Sequence, residues 1–377
     1  MKEIILNSFV SRFGSEPSMY SSAGRVNLIG EHTDYNGGFV FPGAIDKVIV
    51  AAIKPNGTER ITAVAQDLGE EATFGLNESD LPEAGWARYI FGVVREIQKR
   101  GGKVGGFDTV FGGNVPLGAG LSSSAALESC FAYALNDLFN DNSIDKFELA
   151  RIGQSTEHNY CGVNCGIMDQ FASIFGQEGK LIRLDCRSME FEYYPFNPEG
   201  YRLVLVDSRV KHELKDSPYN KRRESCERVA AAIGVETLRD ADMDMLEAVK
   251  GDISAEDYAR ARFVIGEKER VLAVCEALSR GDYETVGAKM CETHQGLSRD
   301  YEVSCEELDF LNEIARRCGV SGSRIMGGGF GGCTINLVKN ELYDEFIKAA
   351  VDEFDKRYGH KPEIYDVVIS NGAQRLK

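Results

Sequence analysis

One stretch constrains what this chain can fold into more than any other: Pro116-Leu117-Gly118-Ala119-Gly120-Leu121-Ser122-Ser123-Ser124-Ala125-Ala126-Leu127-Glu128. It opens as a glycine loop, passes through three serines and continues as a helix, because Leu127, Cys130, Phe131, Ala134, Leu135 and Leu138 recur at helical spacing. Glycines let the backbone approach a ligand closely, and the serines supply hydroxyls and an N-cap. A helix start fed by such a loop turns free N–H groups and the positive end of its dipole toward an anion. This is a cradle suited to nucleotide phosphates. The lysine of the common P-loop is missing, and no G-x-G-x-x-G with a following acidic residue fits. A Gly/Ser turn that merely caps a core helix stays open on this stretch alone.

Further stretches weigh against that bland alternative. In Gly24-Arg25-Val26-Asn27-Leu28-Ile29-Gly30-Glu31-His32-Thr33-Asp34-Tyr35-Asn36-Gly37-Gly38, an Arg, a Glu, a His and an Asp lie within ten residues between glycines. Such a turn suits a polyhydroxylated ligand, whose hydroxyls need partners that donate and accept. A solvated surface turn is the alternative, but apolar Val26, Leu28 and Ile29 argue against simple exposure. In Asn164-Cys165-Gly166-Ile167-Met168-Asp169-Gln170-Phe171-Ala172, the run from Ile167 to Phe175 predicts a helix that stops at Gly176. Asp169 then sits in the first turn, among apolar neighbours, as a candidate functional carboxylate. An Asp that only stabilises its own helix start remains possible. Met326-Gly327-Gly328-Gly329-Phe330-Gly331-Gly332-Cys333 is a tight loop or hairpin between apolar segments, able to close over a ligand.

Composition bounds the class of partner. The 377 residues suffice for about two domains. A net charge of −16 disfavours nucleic acid and anionic membrane, so any phosphate site must be built from backbone amides and a few placed cations. The start of the chain has no charged segment leading into an apolar run, and the ten cysteines form no disulfide-scaffold spacing, which predicts a cytoplasmic protein. His158, Cys161 and Cys165 match no zinc signature.

Along the chain, residues 1–19 read as a short helix, Phe39–Ile53 and Arg60–Ala65 as strands, and Trp86–Lys99 as an amphipathic helix. Phe107–Gly112 is a strand that delivers the glycine cradle. Residues 144–160 form a helix capped by Ser143 and carrying Glu157 near its end. A domain change falls near the strand Tyr201–Val206, and the second part is helix-rich. Ser217 caps a helix whose first turn projects Tyr219, toward a ligand or into the core. Ser254 and Ser304 begin capping-box patterns, and Val367-Val368-Ile369 returns to the first domain.

These stretches, in their order and spacing along nearly the whole chain, resemble the galactokinase family of the GHMP small-molecule kinase superfamily. Gly24–Tyr35 is similar to the family's sugar-binding signature, Pro116–Ala126 to its phosphate loop, and Met326–Cys333 to its third motif. Ala23 departs from the family, which usually has Pro there; a change in local stiffness is expected, not in chemistry. The resemblance implies an α+β fold of two domains with the active site in the cleft between them. The expected division is 1–198, joined by a C-terminal strand at 364–377, and 199–363. The implied activity is phosphorylation of the anomeric hydroxyl of galactose by ATP with Mg²⁺. Asp169 would be base or orienter, and Arg25 would stabilise the transferring phosphoryl group. Glu31, His32, Thr33, Asp34, Gly166 and Tyr219 would bind the sugar. Gly118, Ala119, Gly120, Leu121, Ser122, Ser123 and Ser124 would wrap the ATP phosphates, with Ser124 and Glu157 on Mg²⁺. A monomer is expected. An N-acetylgalactosamine 1-kinase is the runner-up. A non-catalytic sugar sensor is a third possibility, disfavoured because the serine loop, Asp169, Glu157 and Arg25 are all present.

Overall fold

The computed structural model of the chain describes residues 1–210 and 218–377; Ser217, the expected cap, lies outside the described residues. Strand Ser18–Asn27 pairs antiparallel with the long strand Pro42–Pro55, which pairs in turn with Phe107–Gly113. Arg60–Ala65 joins Phe107–Gly113 in parallel, Glu70–Gly75 closes that edge, and Gln374–Leu376 closes the other. The result is a six-stranded sheet. Strand alternation sorts its two faces. Ile49, Ala51 and Ile53 enter the main core, whereas Val50 and Ala52 enter a smaller one with Ile5 and Phe9 of the helix Lys2–Phe13. On the main-core face, helices Ser123–Phe139 and Met168–Phe175 lie directly on the strands, and Ala87–Lys99 and Lys146–Thr156 pack on Ser123–Phe139.

A second, four-stranded sheet runs Gly322–Ile325, Cys333–Lys339, Tyr201–Asp207, Glu363–Val367, all antiparallel. The same alternation holds here. Leu203 and Leu205 face the main core, while Val204 and Val206 face Leu311, Ile314, Phe346 and Phe354 of helices Glu306–Arg317 and Tyr343–Tyr358. Helices Pro218–Ile233, Ala255–Ser279 and Tyr283–Arg299 complete this part. A small third sheet of Phe39–Val40, Lys180–Asp185 and Phe191–Pro195 packs into the main core through Leu181, Ile182 and Leu184. Helices gathered beside mostly antiparallel sheets make the fold α+β.

Several local expectations need correction. The helix Lys146–Thr156 is capped by Asp145, whose carboxylate accepts the Glu148 N–H, not by Ser143. Ser304 does not cap Glu306–Arg317; its hydroxyl donates to Asp309 at 2.5 Å, and Cys305 occupies the cap position. Ser254 does cap its helix. Within 364–377, residues up to Val367 extend the second sheet, and only Gln374–Leu376 pairs with the first as a strand. Ile369 touches the first sheet through a single bridge to Ile45.

The helix Tyr283–Arg299 crosses strand Gly322–Ile325 at Gly287, where a Cβ would stand 2.1 Å from the Ser321 carbonyl oxygen. Helix propensity alone makes Gly→Ala stabilising by about 1 kcal/mol. Steric demand here should outweigh that gain, so Gly287→Ala is expected to lower stability by roughly 1–3 kcal/mol. The midpoint of denaturant unfolding checks this; a rise would mean that the helix shifts away without cost.

Candidate active site

Three segments distant in sequence meet at Arg25. The strand Ser18–Asn27 shifts register between Ala23 and Arg25, a bulge of the kind that re-aims a side chain. The strand also lies hard against the serine loop. The Arg25 N–H donates to the Leu121 carbonyl at 3.1 Å, and a Cβ on Gly24 would stand 2.7 Å from the same oxygen. The Arg25 guanidinium is 4% exposed and grips Asp169 bidentately, Nε to Oδ1 at 2.7 Å and Nη2 to Oδ2 at 3.0 Å. Its Nη1 donates to the Gly120 carbonyl, and Ser122 Oγ donates to Asp169 Oδ2. Ser122 stands at the N-cap position of the helix Ser123–Phe139 with φ +57, yet its hydroxyl serves Asp169 and makes no cap bond. That corrects the N-cap expected of the serines.

The first and third glycine loops pack backbone on backbone. Gly120 and Gly327 both have φ +77, and a Cβ on Gly120 would stand 3.1 Å from the Met326 carbonyl oxygen. The side chains of Ala119 and Leu121 are buried in the core, so these two offer the loop only their backbone. Ser123 and Ser124 border the cavity at the helix start.

The acidic turn opens on the same cavity. Arg25, Glu31, His32, Asp34, Ser122, Ser123, Ser124, Glu157, Gly166, Asp169 and Tyr219 line it, together with Gly327 and Gly328. Glu31 accepts from Arg324 Nη1 and from the Gly327 N–H on Oε1, each at 3.0 Å. His32, at φ +61, has Nδ1 2.7 Å from the Tyr35 hydroxyl, and its ring also meets the Gly328 backbone. Gly166 abuts Asp34 so closely that a Cβ would stand 1.9 Å from Oδ2. Tyr219, in the first turn of Pro218–Ile233, has its ring 5.4 Å from the His32 ring, tilted at 40°. Thr33 is the exception among the predicted sugar-binding residues. A buried hydroxyl must find acceptors, and it bonds the Gly30 and Phe39 carbonyls at 3.0 and 2.6 Å, closing the turn away from the cavity wall.

Acid predominates in this cavity. Burial, then the charge of Asp169, raises Asp34 to about 7. Burial likewise raises Glu157 to about 7, against a hydrogen bond from Ser124 and with help from Asp169. Glu128, wholly buried beside Glu157, is pushed well above the usual carboxylate range by burial and then by Glu157. Burial and the nearby Arg222 charge lower His32 to about 3, so its ring is neutral at pH 7. Crowded oxygens that repel one another suit a hard divalent cation. Ser124 and Glu157, in contact at the helix start, are a fitting pair for Mg²⁺ that keeps waters and phosphate oxygens as its other ligands. Among the described residues no three His, Cys, Asp or Glu side chains converge as a metal centre.

Sequence patterns alone gave no sign of a second cleft, which continues past Gly118, Ser123 and Ser124. Leu68, Trp86, Tyr89, Phe111 and Leu127 line it, from four separate elements or turns, so no local pattern marks it. Arg324 and Gly327 were also missed as partners of the acidic turn; the only sequence signal was an Arg ahead of the glycine run.

Residues 88–177 match the profile of the GHMP kinases N terminal domain, residues 7–55 the galactokinase galactose-binding signature, and residues 275–357 the GHMP kinases C terminal profile. Among known proteins, the chain is 40% identical to a galactokinase of Thermotoga petrophila over 358 residues, 94% of this chain and 98% of that one. It is 43% identical to a galactokinase of Bos taurus over 342 residues, 88% of this chain and 86% of that one. Its fold superposes on Lactococcus lactis galactokinase complexed with galactose at a TM-score of 0.94, with 31% identity and 98% of each chain covered. Methanococcus jannaschii mevalonate kinase shares the fold at a TM-score of 0.68 and 19% identity. No helix among the described residues is long and apolar enough to cross a membrane.

The raised Asp34 value carries a stability cost with a defined sign. A carboxyl whose folded value lies near 7 and whose unfolded value lies near 3.8 favours folding when protonated. The cost is absent below about pH 3.8, grows as pH rises through that window, and is complete above about 7. Asp34→Asn should therefore raise the thermal midpoint of the ligand-free protein at pH 8 and leave it unchanged near pH 3.5. An equal effect at both pH values would show that charge is not the cause.

Proposed function

The chain belongs to the galactokinase family of the GHMP kinases, and from that premise we propose that its cavity phosphorylates the anomeric hydroxyl of galactose with ATP, releasing galactose 1-phosphate and ADP. One observation carries the proposal: the bidentate Arg25–Asp169 pair stands in the same cavity as the acidic turn and the serine helix start. The galactose-binding signature over residues 7–55 and the likeness to a galactokinase complexed with galactose favour this sugar.

In this scheme the sugar lies against Glu31, His32 and Asp34, with the Gly166 backbone and Tyr219 on its other sides. The triphosphate lies on Gly118–Ser124, where loop amides and the helix start meet its charge without a P-loop lysine. Its base enters the apolar cleft of Trp86, Tyr89 and Phe111. Asp169 faces the anomeric hydroxyl and takes or directs its proton. The sugar oxygen bonds to the γ-phosphorus as the β–γ bridging bond breaks, and ADP leaves with that electron pair. Arg25 offsets charge on the transferring group, since phosphoryl transfer rests on positioning and neutralisation. Mg²⁺, held by Ser124 and Glu157, would supply further neutralisation of the phosphates. We also propose the division into an N-terminal domain over 1–198, with the terminal strand Gln374–Leu376, and a C-terminal domain from 199, with the site between them.

A coupled ADP-release assay over galactose, N-acetylgalactosamine and glucose tests the activity. Release is expected to depend on sugar and to be greatest with galactose; no release with any of them would overturn the proposal. Asp169→Asn should cut kcat by at least about 10³-fold while ATP affinity stays within about threefold. Near-normal kcat would remove Asp169 from the reaction. Arg25→Lys should also lose most activity, because a point charge cannot reproduce the two-pronged contact.

A further inference from the structure

Among the described residues, Glu267 and Arg324 are wholly buried, have no place in the scheme above, and, unlike the equally buried Glu128, reach the acidic turn. Glu267, on the helix Ala255–Ser279, accepts the Gly30 N–H on Oε1 at 2.9 Å. Its Oε2 is held by Thr293 Oγ1 at 2.8 Å and Arg270 Nε at 2.6 Å. Arg324, at the end of strand Gly322–Ile325, donates Nε to the Leu28 carbonyl at 3.0 Å and Nη2 to the Asn27 carbonyl. Its Nη1 donates to the Ile325 carbonyl and, at 3.0 Å, to Glu31 Oε1. Gly30 itself has φ +98, and a Cβ there would stand 2.8 Å from the Phe39 carbonyl oxygen, so the turn is tightly enclosed.

Burying such charges is costly, and for stability alone apolar residues of similar volume generally do as well. What these two touch is informative. Both act from the second half of the chain, and both bond the backbone of the single turn 27–31 in the first half. The turn leads directly into Glu31, whose Oε1 is already saturated by Arg324 and the Gly327 N–H. Its Oε2 takes no hydrogen bond among the described residues, and Glu31 borders the cavity.

We propose that Glu267 and Arg324 are positioning residues for sugar recognition, fixing the turn Asn27–Glu31 from the second domain so that Glu31 presents one oxygen, Oε2, to a sugar hydroxyl. This rests on the sugar site proposed above. Glu267 holds the turn through Gly30, and Arg324 holds both the turn and the carboxylate. A carboxylate restricted to one free oxygen at a fixed angle is a directional acceptor, whereas a freely rotating one is not.

Glu267→Gln, Arg324→Lys and Glu31→Gln in the full chain test this by separate KM values for galactose and ATP, with the unfolding midpoint alongside. Gln keeps the volume of Glu267 but sets its amide N–H₂ against one of three donors. Lys keeps the charge of Arg324 but cannot span three carbonyls and a carboxylate. Glu267→Gln and Arg324→Lys are each expected to raise the galactose KM about tenfold or more, the scale of a lost charged hydrogen bond. The ATP KM should move less than about threefold. A lower unfolding midpoint with both KM values unmoved, or with both raised alike, would assign the residues to structure alone and overturn the proposal. If Arg324→Lys fails to fold, Glu267→Gln decides. Should Glu31→Gln raise the galactose KM while Glu267→Gln leaves it unmoved, positioning is refuted and the sugar site stands. Should Glu31→Gln leave it unmoved as well, the sugar site itself falls.

Discussion

The Arg25 guanidinium sets the plan of the molecule. Taking it out of water is costly, and the cost is recovered only if its donors are met with good geometry. They are met by two oxygens of Asp169 and the carbonyl of Gly120. Arg25 and these partners belong to a first-sheet strand, a glycine loop and a helix separated by 144 residues of sequence at the widest. The same bonds bring the segments together and hold Asp169 at the cavity, so one set of contacts builds the fold and shapes the site. Ser122 adds a third donor to the carboxylate, at the cost of leaving its helix without a side-chain cap. Local helix stability is given up where the site needs the hydroxyl.

Around that pair, the charge balance of the cavity follows the charge balance of the chain. The protein carries −16 overall, and Asp34, Glu128 and Glu157 are each raised by burial and by neighbouring acid. A triphosphate approaching such a protein gains little from its global field. What it can use is local: amides of a left-handed glycine loop, a helix start, and the guanidinium of Arg25. The buried acids are split within the cavity, Asp34 on the acidic turn and Glu157 beside Ser124 at the helix start, where crowded oxygens suit polar hydroxyls or a cation.

How much of this could be read from sequence depends on what carried the information. The glycine loops, the acidic turn and Asp169 were legible because each concentrates unusual residue types in a short span, and the structure gathers them on one cavity. Helix caps were less legible: Ser143 and Asp145 are both good acceptors two residues apart, and only backbone geometry selects Asp145. Thr33 sits inside the sugar turn by sequence, but its hydroxyl is consumed by two carbonyls of that turn. Glu267 could not be told from the solvated acids of its own helix, such as Glu276, because its burial comes from another part of the chain. Strand Glu70–Gly75 escaped notice for the opposite reason: it is a polar edge with little hydrophobic pattern.

His32 shows how the two halves of the chain divide their labour. Its backbone stands at φ +61, a conformation that costs a non-glycine residue on the order of 1 kcal/mol or more and persists only when the surroundings enforce it. The enforcing bonds run outward from the ring, Nδ1 to the Tyr35 hydroxyl at 2.7 Å and that hydroxyl to Tyr301 at 2.8 Å. Tyr301 is fully buried beside Cys226 and Phe263 in the helical second part. The neutral ring is thereby tied through Nδ1 to this chain of tyrosines. The first half therefore supplies the turn, but packing in the second half decides which conformation that turn keeps. Arg25 and Asp169, by contrast, are anchored within the first half alone. Movement of one half against the other would thus disturb the acidic turn before it disturbed the Arg25–Asp169 pair.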